Sequence, residues 1–325
     1  MLKLNYLALI NAIEKIRVSR KIPQKELING LIDPSNYSKM KKNQLHINLE
    51  DAYELLNRLH ANWTDIEDMS LFTSEKERYI HKKYNSLISV EKVNLEDIEN
   101  FLIEVEQAYD KEKNNGIHRV LLMVKANYSH ISNKIPKISE EEIEQIFLRI
   151  DKSTIITSID LKLLGDLTTH FTVEQLKSIT PKLIIQDKKE FDLRPRIFHT
   201  YIPTCQGNIA DILIDNQEFE TAALLLENLK FISKYNNNFF YYFLAHFLHY
   251  RLLYFTASNE EKAIEILDQY EQWLESGKVI FGTTPAFQAY QNSFENLKKT
   301  TKRIPKKCYH NQLVKERKIA LFLSG

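Results

Sequence analysis

Ile22-Pro23-Gln24-Lys25-Glu26-Leu27-Ile28-Asn29-Gly30-Leu31-Ile32-Asp33-Pro34-Ser35-Asn36-Tyr37-Ser38-Lys39-Met40-Lys41-Lys42 is the stretch whose reading decides the fold. Pro23 stands where a helix begins and its missing N–H costs nothing, so a short helix follows it and opens on Gln24. Asn29-Gly30 is a turn signal that ends this helix. Asp33-Pro34-Ser35 then offers a cap residue followed by proline, which starts a second short helix running to Lys42. Working outward, Leu4, Leu7, Ile10 or Ala8, Ile13 or Ala12, and Ile16 recur at intervals of three and four, the stripe of an amphipathic helix that stops near Val18-Ser19. On the other side, after the polar link Asn43-Gln44, Leu49 to Leu59 forms a fourth helix and Asp65-Ile66 begins a short fifth. Five short helices with a tight turn at their centre make a helix-turn-helix module over residues 1–70.

Charge supports that reading independently. From Lys15 to Lys42 there are eight basic residues (Lys15, Arg17, Arg20, Lys21, Lys25, Lys39, Lys41 and Lys42) against Glu26 and Asp33, a local charge of +6. From Asn43 to Ser70 only Arg58 stands against six carboxylates, a local charge of −5. The formal charge of +1 for the whole chain therefore conceals a basic face around the second and third helices, where a DNA-binding unit needs cations for phosphates.

The rest of the 325 residues reads as helix almost throughout. Helical periodicity runs through Leu95 to Tyr109, Ile117 to Ile131, Glu141 to Ile150, Ile159 to Leu167, Val173 to Ile185, Ile197 to Leu213, Phe219 to Ile232, Phe239 to Tyr254, Ala263 to Leu274 and Phe287 to Leu297. Short polar links such as Asn236-Asn237-Asn238 make neighbouring helices antiparallel. A weak repeat aligns Gln217 to Asn228 with Ser258 to Gln269, placing Ala222 and Ala263 41 residues apart. Periods of about 34 to 47 residues belong to helical-hairpin solenoids, in which a small residue lets the partner helix approach closely. The fold class expected is all-α, with the five-helix module followed by a degenerate tetratricopeptide-like array over residues 71–300 and a basic capping helix over 301–325. An irregular all-helical domain is the competing architecture.

Composition excludes several functions. Seven glycines and eight prolines are few beside the roughly 23 and 16 that average usage would give, and no G-x-G occurs, so folds that cradle phosphates on glycine-rich loops are excluded. The nearest approach, Gly277 to Thr284, lacks the lysine before its hydroxyl residue. Cys205 and Cys308 carry no catalytic signature and do not suffice for a disulfide framework, which points to reduced cytosolic thiols. No secretory signal opens the sequence. The most apolar run, Phe239 to Phe255, is 17 residues long and contains His246, His249 and Arg251, short of the roughly 20 residues of a membrane helix. His246 and His249 have metal-ligand spacing, but no nearby carboxylate or thiolate completes a set, so they read as part of an aromatic cluster. A cytoplasmic protein with no catalytic residues, no metal and no cofactor is expected.

The stretch from Ile16 to Ile66 resembles the Cro/CI-type (XRE) helix-turn-helix, on its Gln-Lys-Glu-Leu second helix, its Tyr-Ser-Lys-Met-Lys-Lys third helix, and the following Leu-Glu-Asp-Ala-Tyr-Glu-Leu-Leu-Asn-Arg-Leu. The resemblance makes the third helix the recognition helix. Ser35, Asn36, Tyr37 and Lys39 then lie at or near its leading edge, toward base edges, with packing inside the module the equal alternative for Tyr37. Gln24, with Lys25 beside it, opens the second helix, touching phosphate and bracing the third, while Lys41 and Lys42 fit phosphate roles. The sequence departs from the usual pattern at Lys39 to Asn43, where a frequent acidic residue and glycine are missing. With the long helical remainder, the whole chain resembles the peptide-pheromone-responsive regulators of Gram-positive bacteria (Rgg/GadR/MutR, PrgX, PlcR and relatives), and Asn208 to Lys230 looks like the helix pair at the centre of the Rgg-type domain. The resemblance implies a homodimer or higher oligomer on operator DNA, with a short signalling peptide entering the concave face of the array and changing dimer geometry.

A peptide groove needs amide side chains to pair peptide N–H and C=O groups, and pockets for side chains. Two helices offer both. Arg196, Tyr201 and Asn208 interrupt the apolar pattern of Arg194 to Leu213, and Tyr241, His246, His249 and Tyr250 interrupt that of Asn238 to Tyr254. Asn208 is the foremost candidate, since an amide can satisfy both groups of one peptide unit. Pro203 is expected to kink its helix or mark its start. Two alternatives stay open: a phage- or plasmid-type repressor whose helical domain binds protein or only dimerises, and a helical scaffold that does not bind DNA.

Overall fold

A computed structural model describes residues 6–61, 63, 66, 74–90, 93–192, 194–282 and 284–301. Regular structure is entirely helical, with no strand among the described residues. The chain divides into two compact units, Met1–Lys137 and Ile138–Gly325.

The first unit opens with α1 (Tyr6–Ser19), α2 (Gln24–Ile28), α3 (Pro34–Lys41) and α4 (Leu49–Arg58). The expected stripe on α1 is the buried one, with Leu9, Ile10, Ala12, Ile13 and Ile16 facing inward. Pro23 is the residue before α2 and Gln24 its first. Gly30 takes φ +69° in the α2–α3 turn, a left-handed conformation that a side chain disfavours. Asp33 caps α3, its carboxylate accepting the Ser35 N–H at 2.8 Å, with Pro34 in the first helical position. Such a cap contributes about 1 kcal/mol. Asn48 does the same for α4 through the Asp51 N–H at 2.7 Å. Leu27, Ile28, Tyr37, Met40, Ala52, Leu55 and Leu56 close one core with α1, which Ile66 joins. The rest of the expected fifth helix lies outside the described residues, as does Leu4.

A separate core in the same unit is built by α5 (Glu75–Ile88), α6 (Leu95–Glu112) and α7 (Asn115–Tyr128), around Ile80, Tyr84, Phe101, Val105, Ile117 and Val124. Ser74, Asn94 and Asn114 cap these helices. The sequence reading did not include α5, in which only Ile80 and Tyr84 of fourteen residues are buried.

The second unit contains α8 (Glu140–Lys152), α9 (Ser158–Leu167), α10 (Val173–Ile179), α11 (Lys188–Asp192), α12 (Arg196–Asp215), α13 (Phe219–Tyr235), α14 (Phe239–Phe255), α15 (Glu260–Phe281) and α16 (Pro285–Thr301). Consecutive helices from α12 onward pack on each other, and α12 also packs on α9 and on its second neighbour α14. That is the stacking of hairpins the 41-residue period implies, with α13 and α15 in equivalent places. Ala222 is fully buried at its place in α13, whereas Ala263 is only half-buried in α15. Mostly apolar, α14 packs on α12, α13 and α15.

Two expectations need correction. Val173 to Ile185 is not one helix: α10 ends at Ile179, a 3₁₀ turn covers Thr180–Leu183, and Ile184 is extended. Pro181 is the reason, having no N–H to continue the α-helical ladder. Pro203 does not mark the start of its helix, since α12 begins at Arg196 after Pro195 and runs continuously through Pro203 to Asp215. The expected capping helix over 301–325 falls, beyond Thr301, outside the described residues.

Candidate functional site

Helix α3 sorts its residues by angle. At about 100° per residue, Ser35, Lys39 and Lys42 share one arc with Asn36 beside it, and Tyr37, Met40 and Lys41 fall opposite. Ser35, Asn36, Lys39 and Lys42 are exposed, as is Lys25 on α2. Five of the expected DNA-facing residues therefore stand on the surface.

The other three are engaged within the module. Tyr37 is 0% exposed and its hydroxyl donates to Glu14 Oε1 at 2.9 Å, which corrects its expected place at the leading edge. Its ring fills the core against α1. Lys41 donates to Gln24 Oε1 at 2.5 Å and lies 3.8 Å from Glu14 Oε2. Gln24 of α2 is thus joined to α3 through Lys41. Arg17 forms a forked pair with Glu14 at 2.8 and 3.0 Å and donates to the Ile22 carbonyl at 2.7 Å. Burial alone would raise the Glu14 carboxyl, but hydrogen bonds from Arg17 and Tyr37 and the charges of Arg17 and Lys41 outweigh it and hold the group below the ordinary glutamate value. Burial, then Glu14, push the Tyr37 phenol upward, so it keeps its proton. Glu14 lies one residue outside the basic stretch counted from sequence, so the local excess of cations is smaller than that stretch suggests. The sequence reading also missed Arg58, which donates to the carbonyls of Leu27 and Asn29 at 2.9 and 2.7 Å and ties the end of α4 to the end of α2.

In the array, Tyr201, Thr204, Asn208, Asp211 and Asp215 follow one another at three- and four-residue steps and form a polar row along α12. Thr204 meets the Tyr241 hydroxyl of α14 at 2.5 Å. Asn208 is half-buried and donates to the Gly165 carbonyl of α9 at 3.4 Å. Gly165 leaves room for this approach, with Tyr201 Cδ1 3.6 Å from where its Cβ would be. Asp211 and Asp215 both accept from Arg251 of α14, the latter at 2.7 Å, and Arg251 is 2% exposed. A lone arginine in an apolar run, facing two aspartates spaced by four, was the available signal for this triad.

Tyr201, Asn208 and Tyr241 are thus brought to one region. Arg196 lies apart, exposed at the first position of α12. His249 belongs to a different side of α14, where burial and then Lys230 depress its pKa while Glu227 opposes them. Burial, with Lys230 and His249, pushes His246 down to about 4, and its ring packs on Tyr242 at 4.6 Å and Trp273 at 4.7 Å. His246 sits in an aromatic cluster, and no group of metal-ligating residues occurs among the described residues. The amide role expected of Asn208 toward a peptide unit is filled inside the chain by Asn228 of α13. It accepts from the Ile185 N–H at 3.1 Å and donates to the Ile185 carbonyl at 2.8 Å. Gln206 donates to Asn228 at 2.7 Å and to the Leu183 carbonyl at 2.8 Å.

The helical fold of the chain is similar to that of solved pheromone receptors. The SHP pheromone receptor Rgg2 of Streptococcus dysgalactiae superimposes with a TM-score of 0.68 at 16% identity, over 89% of this chain and 99% of its own. PrgX in its complex with cCF10 gives 0.60 at 16% identity, over 90% and 99%. A bacterial peptide pheromone/receptor complex solved for its mechanism of gene regulation gives 0.61 at 18%, over 92% and 99%. At these identities the likeness is one of fold, over nearly the full length of both partners. No family model matches the chain, and no curated protein matches it in sequence.

Proposed function

We propose that this chain is a transcriptional regulator that binds operator DNA through α2 and α3 and is controlled by a short signalling peptide held in the helical array. The observation that carries the reading is the pairing of a recognition-type helix, with Ser35, Asn36, Lys39 and Lys42 exposed, to an array with the fold of pheromone receptors. Ser35, Asn36 and Lys39 reach base edges, while Lys25 and Lys42 meet phosphates. The peptide contacts are assigned to Tyr201, Asn208 and Tyr241, to which the geometry adds Thr204. A homodimer would present two recognition helices to two half-sites. No described helix is long and apolar enough to cross a membrane, in keeping with the cytoplasmic site that operator binding requires. The reading involves no catalytic step.

The test uses the full chain and a duplex selected on it from a randomised pool. Changing Lys25, Lys39 and Lys42 together to alanine is expected to lower affinity at least tenfold and flatten the dependence of log affinity on log salt by roughly 2 to 3, with circular dichroism unchanged. Calorimetry with the peptide encoded beside the gene is expected to show heat that Asn208→Ala reduces. DNA binding unmoved by the triple change would overturn the assignment of α2 and α3. DNA binding without any peptide heat would favour a repressor whose array only dimerises or binds protein.

A further inference from the structure

We infer that Glu14, on α1 and away from the proposed DNA face, is the positioning residue that sets how the recognition helix is presented. The inference rests on the DNA-binding reading above. One carboxylate gathers three side chains: Oε1 accepts from Arg17 Nε at 2.8 Å and from the Tyr37 hydroxyl at 2.9 Å, and Oε2 accepts from Arg17 Nη2 at 3.0 Å and faces Lys41 Nζ at 3.8 Å. Arg17 passes the restraint to the α1–α2 turn through the Ile22 carbonyl, and Lys41 passes it to the start of α2 through Gln24.

Tyr37 and Lys41 are one helical turn apart on the inward arc of α3. Two attachments a turn apart, drawn to the same carboxylate, fix both the roll of α3 about its axis and its position along that axis. Ser35, Asn36 and Lys39 stand on the opposite arc, so a roll of the helix would carry all three away from a base edge together. Pairing with a base edge depends on such geometry, whereas attraction to phosphates does not. The same carboxylate also occupies two cations, Arg17 and Lys41, that would otherwise add sequence-independent attraction. Glu14 is therefore placed to raise binding to the right sequence and to lower binding to the wrong one.

The test measures affinity of the full chain for two duplexes of equal length, the one selected from the randomised pool and a scrambled version of it. Glu14→Gln is expected to weaken binding to the selected duplex about tenfold and to leave or strengthen binding to the scrambled one. Its salt dependence on the scrambled duplex should steepen by roughly 1 to 2, as Arg17 and Lys41 become available to phosphates. Tyr37→Phe, which keeps the ring in the core, should lower the ratio of the two affinities in the same direction with no change in salt dependence. Loss of stability alone would weaken both duplexes by one factor and leave the salt dependence alone, and that result, or an unchanged ratio, would overturn the inference. If Glu14→Gln does not fold by circular dichroism, the ratio for Tyr37→Phe decides. Failure of the unaltered chain to select any duplex would instead remove the DNA-binding reading, and the role of Glu14 with it.

Discussion

Three helical glycines in the array have different room around them, and the difference fixes the sign of their alanine substitutions. At Gly165 an added Cβ would meet nothing nearer than 3.6 Å, so Gly165→Ala should stabilise by up to about 1 kcal/mol through helix propensity alone. At Gly207 it would lie 2.8 Å from Leu244 Cδ2, the end of a side chain able to move, and the effects should nearly cancel. At Gly277 it would lie 2.3 Å from Phe243 Cε2 and 2.8 Å from Phe287 Cε2, with Phe243 already stacked on Trp273. Gly277→Ala should cost about 2 to 3 kcal/mol. Urea unfolding of the three variants checks the order. Sequence does not show this difference, because the space beside a glycine belongs to residues far away in the chain. The inward place of Tyr37 and the inward contacts of Lys41 were not decided by the sequence for a related reason. Their types suit DNA, and only the position of Glu14 on a neighbouring helix turns them inward.

At the scale of elements, legibility follows the strength of the local signal. Asp33-Pro34 names the start of α3 outright, and the structure has the cap. By contrast the period of α5 is short, carried by Ile80, Tyr84 and Leu87 among many charges, α11 has a single large apolar residue, Phe191, and the break at Pro181 was submerged in an apolar run. The extended segment after that break depends on α13. Asn228 supplies both partners of Ile185, and Gln206 joins it from α12. Asn228→Ala should leave the backbone groups of Ile185 without these partners at a cost of about 1 to 3 kcal/mol. Hydrogen exchange should show the Ile185 amide losing protection while α14 and α15 keep theirs, and equal loss everywhere would count against so local a role.

For the whole molecule, the protonation of the array links stability to pH. His246 has a pKa near 4 in the folded chain against 6.5 when free, and His249 is shifted in the same direction. The unfolded chain thus takes up protons first as pH falls below 6.5. Stability is full above that value and is lost progressively toward pH 4, by on the order of 2 kcal/mol after allowing for partial exposure. Glu14 adds a loss of the same sign only below the ordinary glutamate range, because its folded pKa is depressed. The urea midpoint should therefore fall between pH 7.5 and pH 5, and His246→Phe should flatten that change. A further consequence attaches to α14, which is apolar over most of its residues and packs on helices from both directions along the chain. During synthesis it leaves the ribosome with α12 and α13 ready to receive it and its third flank bare until α15 follows. Chains halted between Phe255 and Glu260 would expose that flank and aggregate, so the safety of this fold in the cell depends on the uninterrupted delivery of one helix.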